Sequence, residues 1–223
     1  MRRLAATVLT VTALAATPGM ALGPVSFGPN LAGAGWKDLT FRNLNPAKFS
    51  AEGQGTLRVE ADQAVSVLWR PLPSDFSQAA TASWRWRVDQ GVPATDLGRR
   101  GQDDRSIALY FLFADDPAAA ENPPQSLRAA MRRGRALIYV WGGDAAENSV
   151  VTSPGLLGRA QMVVKQPAPG PAGQWVAENV DLRADFRRAF GREPGPLVGL
   201  GVSSDSDNTG GRTIASLSDL VIQ

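Results

Sequence analysis

Ser83-Trp84-Arg85-Trp86-Arg87-Val88-Asp89 puts Trp84, Trp86 and Val88 on one side of a two-residue repeat and Ser83, Arg85, Arg87 and Asp89 on the other. Only an extended chain separates these two sets, because side chains of a strand point alternately to opposite faces. The apolar set predicts burial, since an indole removes a large area from water, and the polar set predicts a solvated sheet face. One wet and one dry face is the pattern of an antiparallel sheet packed on a single core.

Working outward, further runs with strand character follow one another, separated by Gly, Pro, Asp and Asn: residues 38–43, 56–61, 64–71, 80–89, 105–114, 136–141, 159–165, 174–181, 197–203 and 213–222. Two segments break the series with a helical period. In 123–134, Leu127 and Met131 stand four apart before Gly134. In 181–191, Asp181 is placed to cap a stripe of Leu182, Phe186 and Phe190 that stops at Gly191. The fold class predicted is all-β, a jelly-roll-like antiparallel β-sandwich with two short helices, each closing an open end. The Pro/Gly stretch 166–173 is read as a hairpin loop.

Residues 1–21 carry Arg2-Arg3, an apolar run from Leu4 to Ala16, Pro18-Gly19 and a small-residue end, which is the layout of a cleaved signal peptide. The run is shorter than the roughly 20 residues that span a bilayer, so no membrane span is expected after cleavage. The organisation expected is a leader, 1–21, followed by one β-sandwich domain, 22–223, in the periplasm or outside the cell. The whole chain has 23 basic and 21 acidic residues, and cleavage removes only two arginines, leaving 21 of each. The basic excess that nucleic-acid binding needs is then gone.

The chain has no His and no Cys. That excludes disulfides, Ser-His-Asp and Cys-His relays, the usual zinc sites and haem ligated through those residues. Chemistry is left to carboxylates, Lys, Tyr, Ser or a hard cation held by oxygen. The densest oxygen cluster is Ser204-Asp205-Ser206-Asp207-Asn208-Thr209-Gly210, after the apolar run that ends at Val202. Asp205, Asp207 and Thr209 alternate, with Gly210 in sixth place, as in the first half of a calcium loop. Ser216 holds the twelfth position, where an EF-hand needs Glu, so an EF-hand is rejected. A looser calcium site on Asp205 and Asp207 stays open beside the plain reading of a polar turn. A second acidic loop, Asp103-Asp104-Arg105, precedes the aromatic strand, and neighbouring strands would bring Asp103 or Asp104 to the same end of the sandwich. Arg85 and Arg87, on the polar face, suit ion pairs or the grip of a carboxylate or a hydroxyl-rich ligand.

Several of these pieces, in order, resemble a bacterial family, the domain of unknown function 3047. They are Trp84-Arg85-Trp86-Arg87-Val88, Gly101-Gln102-Asp103-Asp104-Arg105, Leu137-Ile138-Tyr139-Val140-Trp141, Gly173-Gln174-Trp175, Asp185–Gly191 and Ser204–Gly210. The C-terminal Ser216-Leu217-Ser218-Asp219-Leu220 departs from the Tyr-Gly-Asp-Ile ending of that family, so a role for an aromatic there is not carried over. The resemblance implies an exported jelly-roll-like protein and no established activity. The function expected is non-catalytic binding of a glycan or another polar envelope component. Arg85, Arg87, Asp103, Asp104, Arg105, Asp205, Asp207, Asn208 and Thr209 are the candidate ligand-binding residues. The alternatives are a glycan-cleaving enzyme using acidic residues and a structural envelope protein. The tight Glu-x-Asp-x-x-Glu strand motif of jelly-roll glycosidases is absent.

Overall fold

The computed structural model describes residues 23–53, 55–156 and 158–223; the expected leader over 1–21 lies outside them. Among these described residues twelve strands form two stacked sheets. The larger has the order β1 (Lys37–Thr40), β4 (Val65–Pro71), β11 (Leu197–Asp205), β6 (Arg105–Ala114), β7 (Gly134–Trp141), β9 (Ala160–Gln166) and β8 (Val150–Thr152). The smaller has the order β10 (Val176–Asp181), β5 (Thr81–Gln90), β12 (Arg212–Ile222), β3 (Thr56–Asp62) and β2 (Lys48–Glu52). All neighbours are antiparallel except β7 and β9, which run parallel because the intervening short β8 turns back along the far side of β9.

The alternation in β5 is realised as read. Trp84, Trp86 and Val88 enter the inter-sheet core, where they meet Ile107, Leu109 and Phe111 of β6 and Tyr139 and Trp141 of β7. The aromatic rings pack at angles, Trp84 on Trp86 at 5.4 Å and Trp86 on Trp141 at 5.8 Å between centroids.

The seven-stranded sheet departs from the one-wet-face pattern. Every residue of β6 and of β11 is buried, because the outer face of this sheet carries a second apolar layer of Trp69, Tyr110, Ile138, Met162 and Val198. Connecting segments cover that layer through Leu97, Leu127 and Ala130, with Leu39 and Phe41 at its margin. The uninterrupted apolar run 107–114 is the sequence counterpart of burial on both faces.

The helices divide accordingly. Helix α2 (Leu182–Phe190) starts where the Asp181 side chain accepts a hydrogen bond from Ala184 N and ends at Gly191, φ 67°. It closes the inter-sheet core with Leu182 and Phe186, and Tyr139 Oη donates to its Asp185 at 2.9 Å. Helix α1 (Leu127–Arg132), capped by Ser126, does not close an end as predicted; it lies over the outer layer of the larger sheet. Nor is 166–173 a hairpin loop, for it carries the chain from β9 in one sheet to β10 in the other.

Close packing of the second layer sets a sharp test at Gly199. A Cβ built there falls 1.8 Å from Cη2 of the buried Trp69. Gly199→Ala is therefore expected to cost about 1–3 kcal/mol in urea unfolding, the usual range for overpacking. A variant as stable as the parent would show that Trp69 has room to move.

Candidate functional site

Two polar regions hold the residues singled out above. The first is the outer face of the five-stranded sheet, where β5, β10 and β12 lie side by side. Arg87 pairs with Asp89 at 2.9 Å and Arg85 with Asp219 at 2.6 Å. Both guanidinium groups lie over the indole of Trp175, 5.2 Å and 5.4 Å from its centroid, in cation–π contact. Trp175 remains 37% exposed, whereas the other five tryptophans are buried. Asp219 reaches Arg85 because β12 has a register shift between Ser218 and Val221, with Asp219 at φ 55°. The bulge turns that carboxylate out of the pleat toward solvent. Next to this patch, Ser83, Asn179, Asp181, Val221 and Gln223 line an open depression of about 410 Å³.

The second region is one end of the larger sheet, where β11 and β6 bring Asp205 opposite Arg105. The two acidic loops do meet there, through Asp104 and not Asp103. Asp104 is fully buried and its two oxygens accept four hydrogen bonds, from the backbone N–H and side chain of Asn208 and of Thr209, at 2.6–3.2 Å. Burial disfavours its charge, but these donors outweigh burial and hold its pKa below the usual carboxylate value. Asp103 instead accepts from Gly101 N in its own loop. Asn208 and Thr209 thus spend their donors on Asp104, and Asn208 also donates to Asp207 at 2.7 Å.

Arg105 is buried and donates to Asp205 Oδ2 at 3.1 Å, to the Asp103 carbonyl at 2.7 Å and to the Tyr110 hydroxyl at 2.8 Å. Burial works against its charge, yet Tyr110 and Asp205 more than offset this, so its pKa is raised. Asp205 is pushed up to about 8, chiefly by burial; Arg105 opposes the shift, and Asp207 and Asp104 add to it. One oxygen from each of Asp104, Asp205 and Asp207 lies within 4.8 Å of the others.

Sequence reasoning missed three members of these regions. Trp175 is not among the candidate ligand-binding residues read from the sequence, although its neighbours Gln174 and Gly173 signal a strand start at a surface turn. Asp219 was missed, yet the spacing Leu217, Leu220, Ile222 shifts the alternation by one residue and so marks the bulge. Tyr110 gave no signal inside its apolar run.

In overall arrangement the chain is similar to several solved β-rich domains at low identity. The xyloglucanase domain of NopAA, an effector from Sinorhizobium fredii, is 10% identical with a TM-score of 0.46, over 84% of this chain and 90% of that one. A carbohydrate esterase from the Shiga toxin-encoding bacteriophage phi24B is 13% identical with a TM-score of 0.46, over 91% and 97%. The family 30 carbohydrate-binding module of a Clostridium thermocellum cellulosomal cellulase is 12% identical with a TM-score of 0.39, over 90% and 92%. No curated protein matches the sequence. The family model described as protein of unknown function (DUF3047) matches residues 34–221, and this chain belongs to that family.

Proposed function

We propose that this is an exported, non-catalytic β-sandwich of the cell envelope that binds a glycan on the outer face of its five-stranded sheet. The observation that carries this reading is Trp175, an indole left partly open to solvent on an otherwise polar face, with Arg85 and Arg87 packed against it. A flat ring offers the apolar C–H face of a pyranose a stacking surface, and flanking guanidinium and carboxylate groups offer hydrogen bonds to hydroxyls. The adjoining depression beside Ser83 and Asn179 gives room for a further sugar unit along the strands.

Binding is preferred to cleavage on physical grounds. The acidic cluster is not part of the lining of that depression, and Asp205, whose pKa is raised chiefly by burial, is tied to Arg105. A general acid needs reach to a bound substrate as well as a suitable pKa.

A glycan array followed by affinity electrophoresis in the retained polysaccharide tests the proposal. Trp175→Ala is expected to weaken retention at least tenfold, equivalent to about 1.4 kcal/mol, with an unchanged melting temperature. Failure of the parent protein to bind any glycan or peptidoglycan fragment, or equal binding by Trp175→Ala, would overturn it.

A further inference from the structure

We infer that the acidic end of the seven-stranded sheet is a calcium site, centred on Asp205 and Asp207 with Asp104 beside them. Calcium–oxygen distances run from about 2.3 to 2.6 Å, so ligands on opposite sides of one ion stand about 4.6–5.2 Å apart. The three carboxylate oxygens, all within 4.8 Å of one another, fit around one such ion.

An independent observation points the same way. The Asp205 side chain is only 8% exposed, and its Oδ1 is buried with no hydrogen-bond donor, while Oδ2 is held by Arg105. Buried polar atoms in folded proteins are almost always partnered, so a bare carboxylate oxygen marks a missing donor or cation. Charge supports a cation. With Asp205 ionised in the bound state, three carboxylates face one guanidinium and leave two negative charges that a dication balances.

The donor set selects the kind of ion. With no His or Cys anywhere in the chain, only oxygen is on offer, which suits a hard cation and disfavours zinc or copper. Asp104 contributes charge more than an open lone pair, because its oxygens already accept four hydrogen bonds. The open positions are Oδ1 of Asp205 and the Asp207 oxygen that Asn208 does not occupy, with water completing the shell. So few protein ligands place the affinity among weak sites, with a dissociation constant of about 10⁻⁴–10⁻³ M. This site goes beyond the glycan reading and does not depend on it.

The test uses the purified protein, freed of metal with EDTA and titrated with calcium chloride by calorimetry and by thermal unfolding, with magnesium chloride in parallel. The expected result is saturable binding of one calcium and a rise in melting temperature, with magnesium weaker. Asp205→Asn should abolish the effect, and Asp207→Asn, at a half-buried position, should weaken affinity at least tenfold. Asp103→Asn, outside the cluster, should bind like the parent. No heat and no shift up to ~10 mM calcium, an order of magnitude above the weak range, would overturn the inference. So would equal affinity in the Asp207 variant, which decides the matter if Asp205→Asn fails to fold. Tighter binding of magnesium than calcium would overturn the choice of ion.

Discussion

Trp84→Ala is expected to lower stability by about 3–5 kcal/mol, a large share of what a domain of this kind possesses. The ring is almost fully buried and stands at the junction of three other aromatic rings: Trp86 at 5.4 Å, Tyr139 at 5.3 Å and Phe111 at 6.3 Å between centroids. It bridges the two sheets, so its loss opens a cavity that neither sheet can close without moving the other. Arg87→Ala, three residues on and facing outward, should cost at most about 1 kcal/mol, since its partner Asp89 is half-exposed and such pairs contribute little. Urea unfolding of both variants gives the comparison. Equal losses would mean either that Trp84 is replaceable by solvent or that Arg87 belongs to a buried network.

Arg105→Met, measured in the presence of chelator, is expected to cost about 3–5 kcal/mol, the range found when one partner of a buried ion pair is removed. The guanidinium is 10% exposed and holds three acceptors, Asp205, the Asp103 carbonyl and Tyr110. Without it Asp205 is left in the same low-dielectric pocket with Asp207 and Asp104 as neighbours. The double variant Arg105→Met/Asp205→Leu should recover much of the loss, because it removes the stranded acid as well. If the single change costs less than about 1 kcal/mol, Arg105 is not what holds this end of the sheet together.

Where alternation was clean, the sequence predicted the fold well. Trp84-Arg85-Trp86-Arg87 could belong only to a strand with one wet face, and the Asp181 cap, the Leu182-Phe186-Phe190 stripe and Gly191 defined α2 nearly to the residue. It failed where burial is two-sided or where a strand is short. The run 107–114 is apolar throughout and hides which side chains face which layer, so the second layer and the placement of α1 over it could not be read. Strands β2 and β8 lie at sheet edges, five and three residues long, and carry no pattern long enough to detect. For the site, chain order brought Asp104 and Asp205 together correctly, because both flank central strands that pair. The choice between Asp103 and Asp104 depended on a one-residue register that alternation does not fix in a loop.

The order of strands also bears on when this chain can fold. β11 lies between β4 and β6 in one sheet, and β12 lies between β5 and β3 in the other, so residues 197–222 supply a middle strand to each. Until they arrive, β1–β4 is separated from the four-stranded β6–β7–β9–β8, and β3–β2 is separated from β5–β10. The two-stranded pieces bury too little surface to persist alone, and the four-stranded piece lacks the completed second sheet that covers its inner face. In a chain delivered N-terminus first, neither sheet can therefore be completed, and the core between them closed, until the last two strands come through.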